Sequence, residues 1–244
     1  MNKAWRAIVA AVVATVLAVA SYVSLAALAG VVFSLVVMVA IGWPSLLSLP
    51  SRRSSATILA LMGLGCVVSV ALVPVNPLLE WLPLALAGAI VMVFVHQLFR
   101  REGRPHLVES VTGMVTGMLV LASAAGWVAA IRTSGGVSLV VVSAIGIAAA
   151  CAAVALPIRG FFGVVLTLMA SSVAGGGIGM LMPEVSGRAG MLIGLMAGIL
   201  ISTLHVLFAR LPNAGKKPAV LASVTLPVAA SGIAVYIIGR VLVG

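Results

Sequence analysis

Residues 136–157 read GVSLVVVSAIGIAAACAAVALP, a run of 22 residues without one charged side chain. The apolar residues are continuous rather than alternating, which favours a helix that is apolar on all sides over a half-buried strand. A helix needs about 20 such residues to cross the hydrocarbon core of a bilayer. This stretch therefore predicts a transmembrane helix.

Eight further stretches of similar length fill the rest of the chain. Backbone groups in lipid must be hydrogen-bonded internally, so we expect each stretch to be a helix. Short connectors with turn residues separate them, among them Gly42-Trp43-Pro44 and Ser134-Gly135-Gly136. The predicted fold is all-α, a polytopic transmembrane bundle of about nine helices, with residues 1–244 forming a single transmembrane domain and no soluble domain. The predicted segments are 5–22, 25–43, 56–74, 79–99, 108–131, 136–157, 160–182, 190–209 and 219–243.

The composition agrees with a chain that is covered by lipid. It is 63% hydrophobic and 7% charged, whereas soluble domains carry roughly 25% charged residues. The net charge of +10 comes from 14 Lys and Arg against 4 acidic residues. These cations lie at segment ends, which indicates membrane topology and anionic lipids rather than nucleic acid. The expected partners are membrane lipids and another integral membrane protein.

The cations also predict an orientation. Alternating segments place eleven of the 14 cations on the side of the N-terminus, and leave Arg132, Arg188 and Arg240 on the other. The positive-inside rule then predicts a multi-pass protein of the cell membrane, with a cytoplasmic N-terminus and an outer C-terminus. Residues 7–42 favour a tight hairpin of two helices. A cleaved signal peptide is the alternative, since Lys3 and Arg6 precede an apolar run that ends in Ala18-Val19-Ala20.

The most polar stretch lies between the fourth and fifth segments. Arg100, Arg101 and Arg104 precede Glu109 at the start of the next helix. Three arginines beside a helix N-terminus are suited to a lipid headgroup or phosphate. The alternative is a loop that sets topology, with Glu109 as a favourable acid in the first helical turn.

Two histidines are the candidate polar residues within the spans. An ionisable side chain at membrane depth indicates function, but His96 and His205 each lie near a segment end and could bond to Ser or Thr. The three histidines are widely separated, and Cys66 and Cys151 lie within apolar runs. We therefore predict no metal site, no cofactor and no catalytic residue.

Small residues at four-residue spacing predict close helix packing or partner docking. Gly190, Gly194 and Gly198 form one such stripe, and Gly113 and Gly117 form a shorter one. We expect the first stripe to pack inside the bundle and an outer docking face to lie around Gly113 and Gly117. The cluster at residues 175–179 is either further packing or a broken helix that lines a cavity.

The chain also resembles the bacterial phosphatidate cytidylyltransferases, which make CDP-diacylglycerol from CTP and phosphatidic acid. The resemblance lies in the N-terminal helix pair, in the basic loop before Glu109 and Gly113, and in a helix that ends at Arg210 before Gly215-Lys216-Lys217. That family holds divalent metal with several aspartates, and this chain has none; Ser202-Thr203 stand roughly where a Gly-Asp pair belongs. Its Ser-Pro-Lys-Lys loop also has no counterpart here. The resemblance therefore implies a degenerate, non-catalytic relative.

The sequence thus favours a non-catalytic membrane subunit that assembles with or regulates another membrane protein, in the metabolism of lipids or lipid-linked envelope precursors. A transporter of lipid or a small solute is the first alternative, supported by the glycines at 175–179. An active lipid enzyme is the second, and it would need a metal-free mechanism or a borrowed carboxylate.

Overall fold

The computed structural model describes residues 3–49, 51–74, 77–99, 107–158, 160–211 and 217–243. These residues form nine helices and no strand, which confirms the all-α fold. Eight of the helices are long and apolar enough to cross a membrane, and α4, with 17 residues, is shorter. The helices are α1 (Lys3–Val23), α2 (Leu25–Leu46), α3 (Arg52–Leu72), α4 (Leu82–Leu98), α5 (Leu107–Ile131), α6 (Gly136–Ala155), α7 (Phe161–Leu181), α8 (Gly187–Arg210) and α9 (Lys217–Leu242).

The predicted hairpin of α1 and α2 is present, with Ser24 as its connecting residue. Ser24 is extended (φ −174°), and its hydroxyl accepts a hydrogen bond from the Ala27 N–H at 3.0 Å. This is an N-cap, which satisfies one of the free donors at the start of α2. The alternative of a cleaved signal peptide stays a prediction.

One predicted connector lies inside a helix. Gly42-Trp43-Pro44 belongs to the last turns of α2, which ends at Leu46. A Cβ atom added at Gly42 would lie 2.6 Å from the Ala222 nitrogen, so this glycine allows α2 to approach α9. Close helix packing, rather than turn formation, explains the glycine here, and proline is tolerated within membrane helices.

The centre of the bundle is formed by α5, α6 and α9, which are the most buried helices. At the crossing of α5 and α9, a Cβ atom added at Gly126 would collide with the backbone of Gly232. The Trp127 indole N–H donates to the Val228 carbonyl oxygen at 2.7 Å, and the Ser123 hydroxyl donates to the Ala230 carbonyl oxygen at 2.7 Å. Backbone contact and cross-helix hydrogen bonds therefore hold the central seam together.

Contacts between helix ends show that α3 and α5 run in the same direction, whereas α4, which lies between them in the chain, runs in the opposite one. Ser55, near the start of α3, lies 3.7 Å from the Met114 sulfur, near the start of α5. At the other end of the same two helices, Arg132 donates to the Val70 carbonyl oxygen at 2.8 Å. The two ends of the bundle are named as follows. The N-terminal face is the end at which α1 begins, and the opposite face is the other end. Which face is cytoplasmic stays a prediction.

Candidate functional site

The glycine stripe of α8 lies inside the bundle, against α7. A Cβ atom added at Gly194 would collide with the Ser171 carbonyl oxygen, and one added at Gly190 would collide with the Gly175 carbonyl oxygen. Gly198 lies against the Ser171 hydroxyl in the same way. The two helix backbones are therefore in direct contact along this stripe.

The glycine cluster at residues 175–179 does not break its helix. The α7 helix is continuous from Phe161 to Leu181, and Gly175, Gly176 and Gly179 are buried. A Cβ atom added at Gly179 would lie 3.1 Å from the Cα atom of Gly190. The alternative of a broken helix lining a cavity is therefore wrong, because the glycines are used for packing against α8.

Gly113 and Gly117 are also covered by other residues of the chain. The Trp43 indole N–H donates to the Gly113 carbonyl oxygen at 2.8 Å, and a Cβ atom at Gly117 would lie 2.6 Å from the same indole nitrogen. A Cβ atom at Gly113 would lie 3.0 Å from Leu49. These two glycines therefore do not themselves form an outer docking face, because Trp43, Leu47 and Leu49 cover them.

The polar stretch before α5 is described only in part. Arg100, Arg101 and Arg104 lie outside the described residues, so the proposed headgroup site there stays a prediction. Glu109 lies exposed in the first turn of α5. Beside it, the buried Gln97 amide donates to the Ser110 hydroxyl at 2.8 Å and joins the end of α4 to α5. His96 is half-buried near the end of α4.

The structure brings His205 together with a residue that sequence reasoning did not single out. A cavity of about 110 Å³ lies at the N-terminal face between α1, α6, α8 and α9. Its polar lining comes from Arg6 on α1, His205 on α8 and Ser223 on α9, with Cys151 on α6. The remaining wall is apolar, and is formed by Ala7, Ala10, Val154, Ile201, Leu204, Phe208, Ala209 and Pro227.

Arg6 gives this cavity its charge. Its Nε atom is buried and has no hydrogen-bond partner among the described residues. No acidic side chain lines the cavity within the described part of the chain. In the sequence Arg6 is one of several terminal cations that set topology. Its only distinguishing signal is its position inside the first apolar segment, and the sequence does not show that α1 packs against α6 and α9.

Most other polar side chains within the spans are bonded to their own helices. The hydroxyls of Thr167, Ser143 and Ser231 donate to carbonyl oxygens three or four residues earlier, at 2.7–2.8 Å. At the opposite face, the Ser138 hydroxyl donates to the Glu184 carboxylate at 2.6 Å. Among the described residues, no group of three or more His, Cys, Asp or Glu side chains is placed to hold a metal ion. The hydrogen bonds of these hydroxyl groups stabilise helices and their connections.

The resemblance to the cytidylyltransferases rests on the order of sequence features and stays a prediction. Two of the stretches that carry it, at residues 100–106 and 212–216, lie outside the described residues. Comparison with protein-family models, with curated proteins and with solved structures found no match for this chain.

Proposed function

We propose that this protein is a non-catalytic membrane subunit that associates with another integral membrane protein through helix α4. The observation that supports the proposal is the incomplete burial of this helix. Among the described residues α4 packs mainly against α3 and α5, and only Leu82, Ala89, Val93 and Gln97 are buried along it. The other assembly roles predicted from the sequence, in lipid or envelope-precursor metabolism, remain part of the same proposal.

The length of α4 favours association. Its 17 residues span about 26 Å at a rise of 1.5 Å per residue, less than the ~30 Å of a typical hydrocarbon core. A span that is too short is accommodated by a thinner bilayer or by packing with other helices. A partner helix that packs beside α4 would fill the part of the hydrocarbon core that this short helix does not span.

The outer face of α4 has the chemistry of a helix contact. Leu84, Gly88 and Val91 follow each other at four- and three-residue spacing, opposite the buried stripe. Leu84 and Val91 are more than 60% exposed, and nothing lies within 4 Å of a Cβ atom added at Gly88. In lipid, a small residue between larger ones lets a second helix approach closely, and packing rather than hydrophobicity stabilises the contact.

The two alternatives have less support from the same residues. The transporter hypothesis used the glycines of α7 as a broken helix, and α7 is continuous. The enzyme hypothesis needs a metal or an equivalent positioned charge for phosphoryl-type transfer, and the chain contains no aspartate. Both hypotheses remain testable. The transporter hypothesis is tested by transport in liposomes, and the enzyme hypothesis by CTP-dependent formation of CDP-diacylglycerol.

The proposal is tested by purifying the tagged protein in mild detergent and measuring what remains bound. We expect a membrane protein at fixed stoichiometry, and we expect Gly88→Leu to remove it without lowering the unfolding temperature of the bundle. Gly30→Leu on α2 is the matched control, because nothing lies within 4 Å of its Cβ position either. This control should keep the partner.

Two results would contradict the proposal. One is a partner that binds the Gly88→Leu variant as well as it binds the unchanged protein. The other is a purified protein without a stoichiometric partner that turns over CTP, which would instead support the enzyme hypothesis.

A further inference from the structure

The cavity at the N-terminal face combines a small volume with one permanent positive charge. Its volume of about 110 Å³ is well below the roughly 300–1,000 Å³ of pockets that enclose whole ligands. It can hold about four groups of the size of water, at roughly 30 Å³ each. The cavity is therefore suited to one compact polar group, such as a phosphate, whose attached parts lie outside it.

Arg6 requires an anion more than Arg52 and Arg53 do, which are described cations of the same face. A guanidinium stays charged at every physiological pH, and a buried donor without a partner is costly. The Nε atom of Arg6 is such a donor among the described residues. Arg52 and Arg53, by contrast, are exposed at the start of α3.

His205 adds a second polar group to the same wall. It lies on α8, five residues before Arg210 at the end of that helix, and it is half-buried. An imidazole ring donates one hydrogen bond when neutral and two when protonated. Arginine and histidine on two different helices can therefore contact different oxygens of one tetrahedral anion.

The rest of the cavity wall indicates where the anion comes from. Arg6 lies in the first turn of α1 and the apolar residues of that helix follow it, so we expect Arg6 at the border of the membrane. Leu204 and Phe208 of α8 and Val154 of α6 supply apolar surface beside the two polar groups. A phosphate at the membrane border with apolar surface next to it matches the headgroup of a phospholipid, whose acyl chains extend along the bundle.

We propose that this cavity binds the phosphate group of an anionic membrane lipid, with Arg6 and His205 as the hydrogen-bond donors. The inference uses no residue of the loop at 100–104, and it does not depend on the association through α4. Its ligand class is a phosphodiester lipid, and inorganic phosphate shares the same recognition chemistry.

The test is lipid binding to the purified full-length protein in a neutral detergent, measured by native mass spectrometry and by the shift in unfolding temperature. The probes are phosphatidylglycerol, diacylglycerol with the same acyl chains, and inorganic phosphate. We expect phosphatidylglycerol to bind and stabilise the protein. Loss of a charge-assisted hydrogen bond should weaken that binding about tenfold or more in Arg6→Met.

The matched control is Arg53→Met, which removes an exposed cation from the same face and should leave binding unchanged. His205→Phe is a second variant, with a ring of similar size, and should also weaken binding. It replaces Arg6→Met in the test if that variant does not fold. Equal phosphatidylglycerol binding by Arg53→Met and by a folded Arg6→Met or His205→Phe would overturn the proposal. Equal stabilisation by diacylglycerol or by inorganic phosphate would overturn the assignment to a lipid phosphate.

Discussion

The indole N–H of Trp43 donates to the carbonyl oxygen of Gly113 at 2.8 Å, and the indole ring lies where a side chain at Gly117 would be. This contact joins the end of α2 to the start of α5 at the N-terminal face. The ring needs the position of Gly117 to lack a side chain, whereas a Cβ atom at Gly113 would meet Leu49 and Leu47 instead. Glu109 and Ser110 lie in the turn of α5 that precedes this contact.

This contact predicts a graded loss of stability. Trp43→Phe should lower the free energy of unfolding by about 1 kcal/mol, because it removes one buried hydrogen bond. Gly117→Ala should cost about 1–3 kcal/mol, because the new methyl group forces the indole to move. Both are measured by SDS titration of the detergent-solubilised protein. Trp81→Phe, at an exposed tryptophan, is the control and should change stability little; a Trp43→Phe protein as stable as this control would contradict the prediction.

The contact between α7 and α8 predicts a larger effect. Gly194→Leu should destabilise the bundle by about 3 kcal/mol or more, since even its Cβ atom meets the backbone at Ser171 and cannot be accommodated by a rotamer change. Gly177→Leu is the matched control on α7, because nothing lies within 4 Å of that Cβ position. We expect the unfolding temperature to fall for Gly194→Leu only. Equal unfolding temperatures for the two variants would show that α7 and α8 are not in backbone contact.

The number and limits of the helices are readable from the sequence because crossing a bilayer is a property of each segment alone. An apolar stretch such as 136–157 must form its own hydrogen bonds in lipid, whatever it packs against. The same reasoning placed Pro44 wrongly, since a proline within a membrane helix and a proline in a connector look alike in one sequence.

The sequence does not show in the same way which helices pack against each other. Four-residue spacing of glycines shows that a helix packs closely, but not what it packs against. Gly113 and Gly117 were therefore expected on an outer face, whereas Trp43, about 70 residues earlier, covers them. For the same reason the sequence could not predict that Arg6 and His205 line one cavity. They lie on α1 and α8, and only the fold brings them together.

The end of α3 is contacted by a cation that directly follows α5. The Arg132 guanidinium donates to the carbonyl oxygens of Val70 at 2.8 Å and Val73 at 2.5 Å. The last carbonyl groups of a helix have no partner within it, and a cation there also opposes the helix dipole. Arg132→Met should therefore destabilise the protein by about 1.5 kcal/mol. Arg132→Lys should have an intermediate effect, since an ammonium lacks the planar fork.

The control for this prediction is Arg188→Met, which removes an exposed cation from the same opposite face. Its unfolding free energy, from the same SDS titration, should match that of the unchanged protein. If Arg132→Met and Arg188→Met are equally stable, the carbonyl contacts of Arg132 contribute nothing and its role is topology alone.

The orientation of the bundle is tested by reporter fusions at both faces. Eleven of the 14 cations lie on the side of the N-terminus when the helices alternate, so that side should be cytoplasmic. We expect a fluorescent-protein fusion after Arg104 to fluoresce and an alkaline phosphatase fusion at Gly244 to be active. The converse fusions at the same two positions should be silent.

A third fusion site, after Pro74, tests whether the short helix α4 crosses the membrane. Pro74 lies beyond the end of α3, at the opposite face, and the Gln97–Ser110 hydrogen bond places the end of α4 beside the start of α5, at the N-terminal face. Fusions after Pro74 and after Arg104 should therefore report opposite sides. If they report the same side, α4 does not span the bilayer. Its exposed face would then lie at the membrane surface, and the proposed helix contact at Gly88 would lose its physical basis.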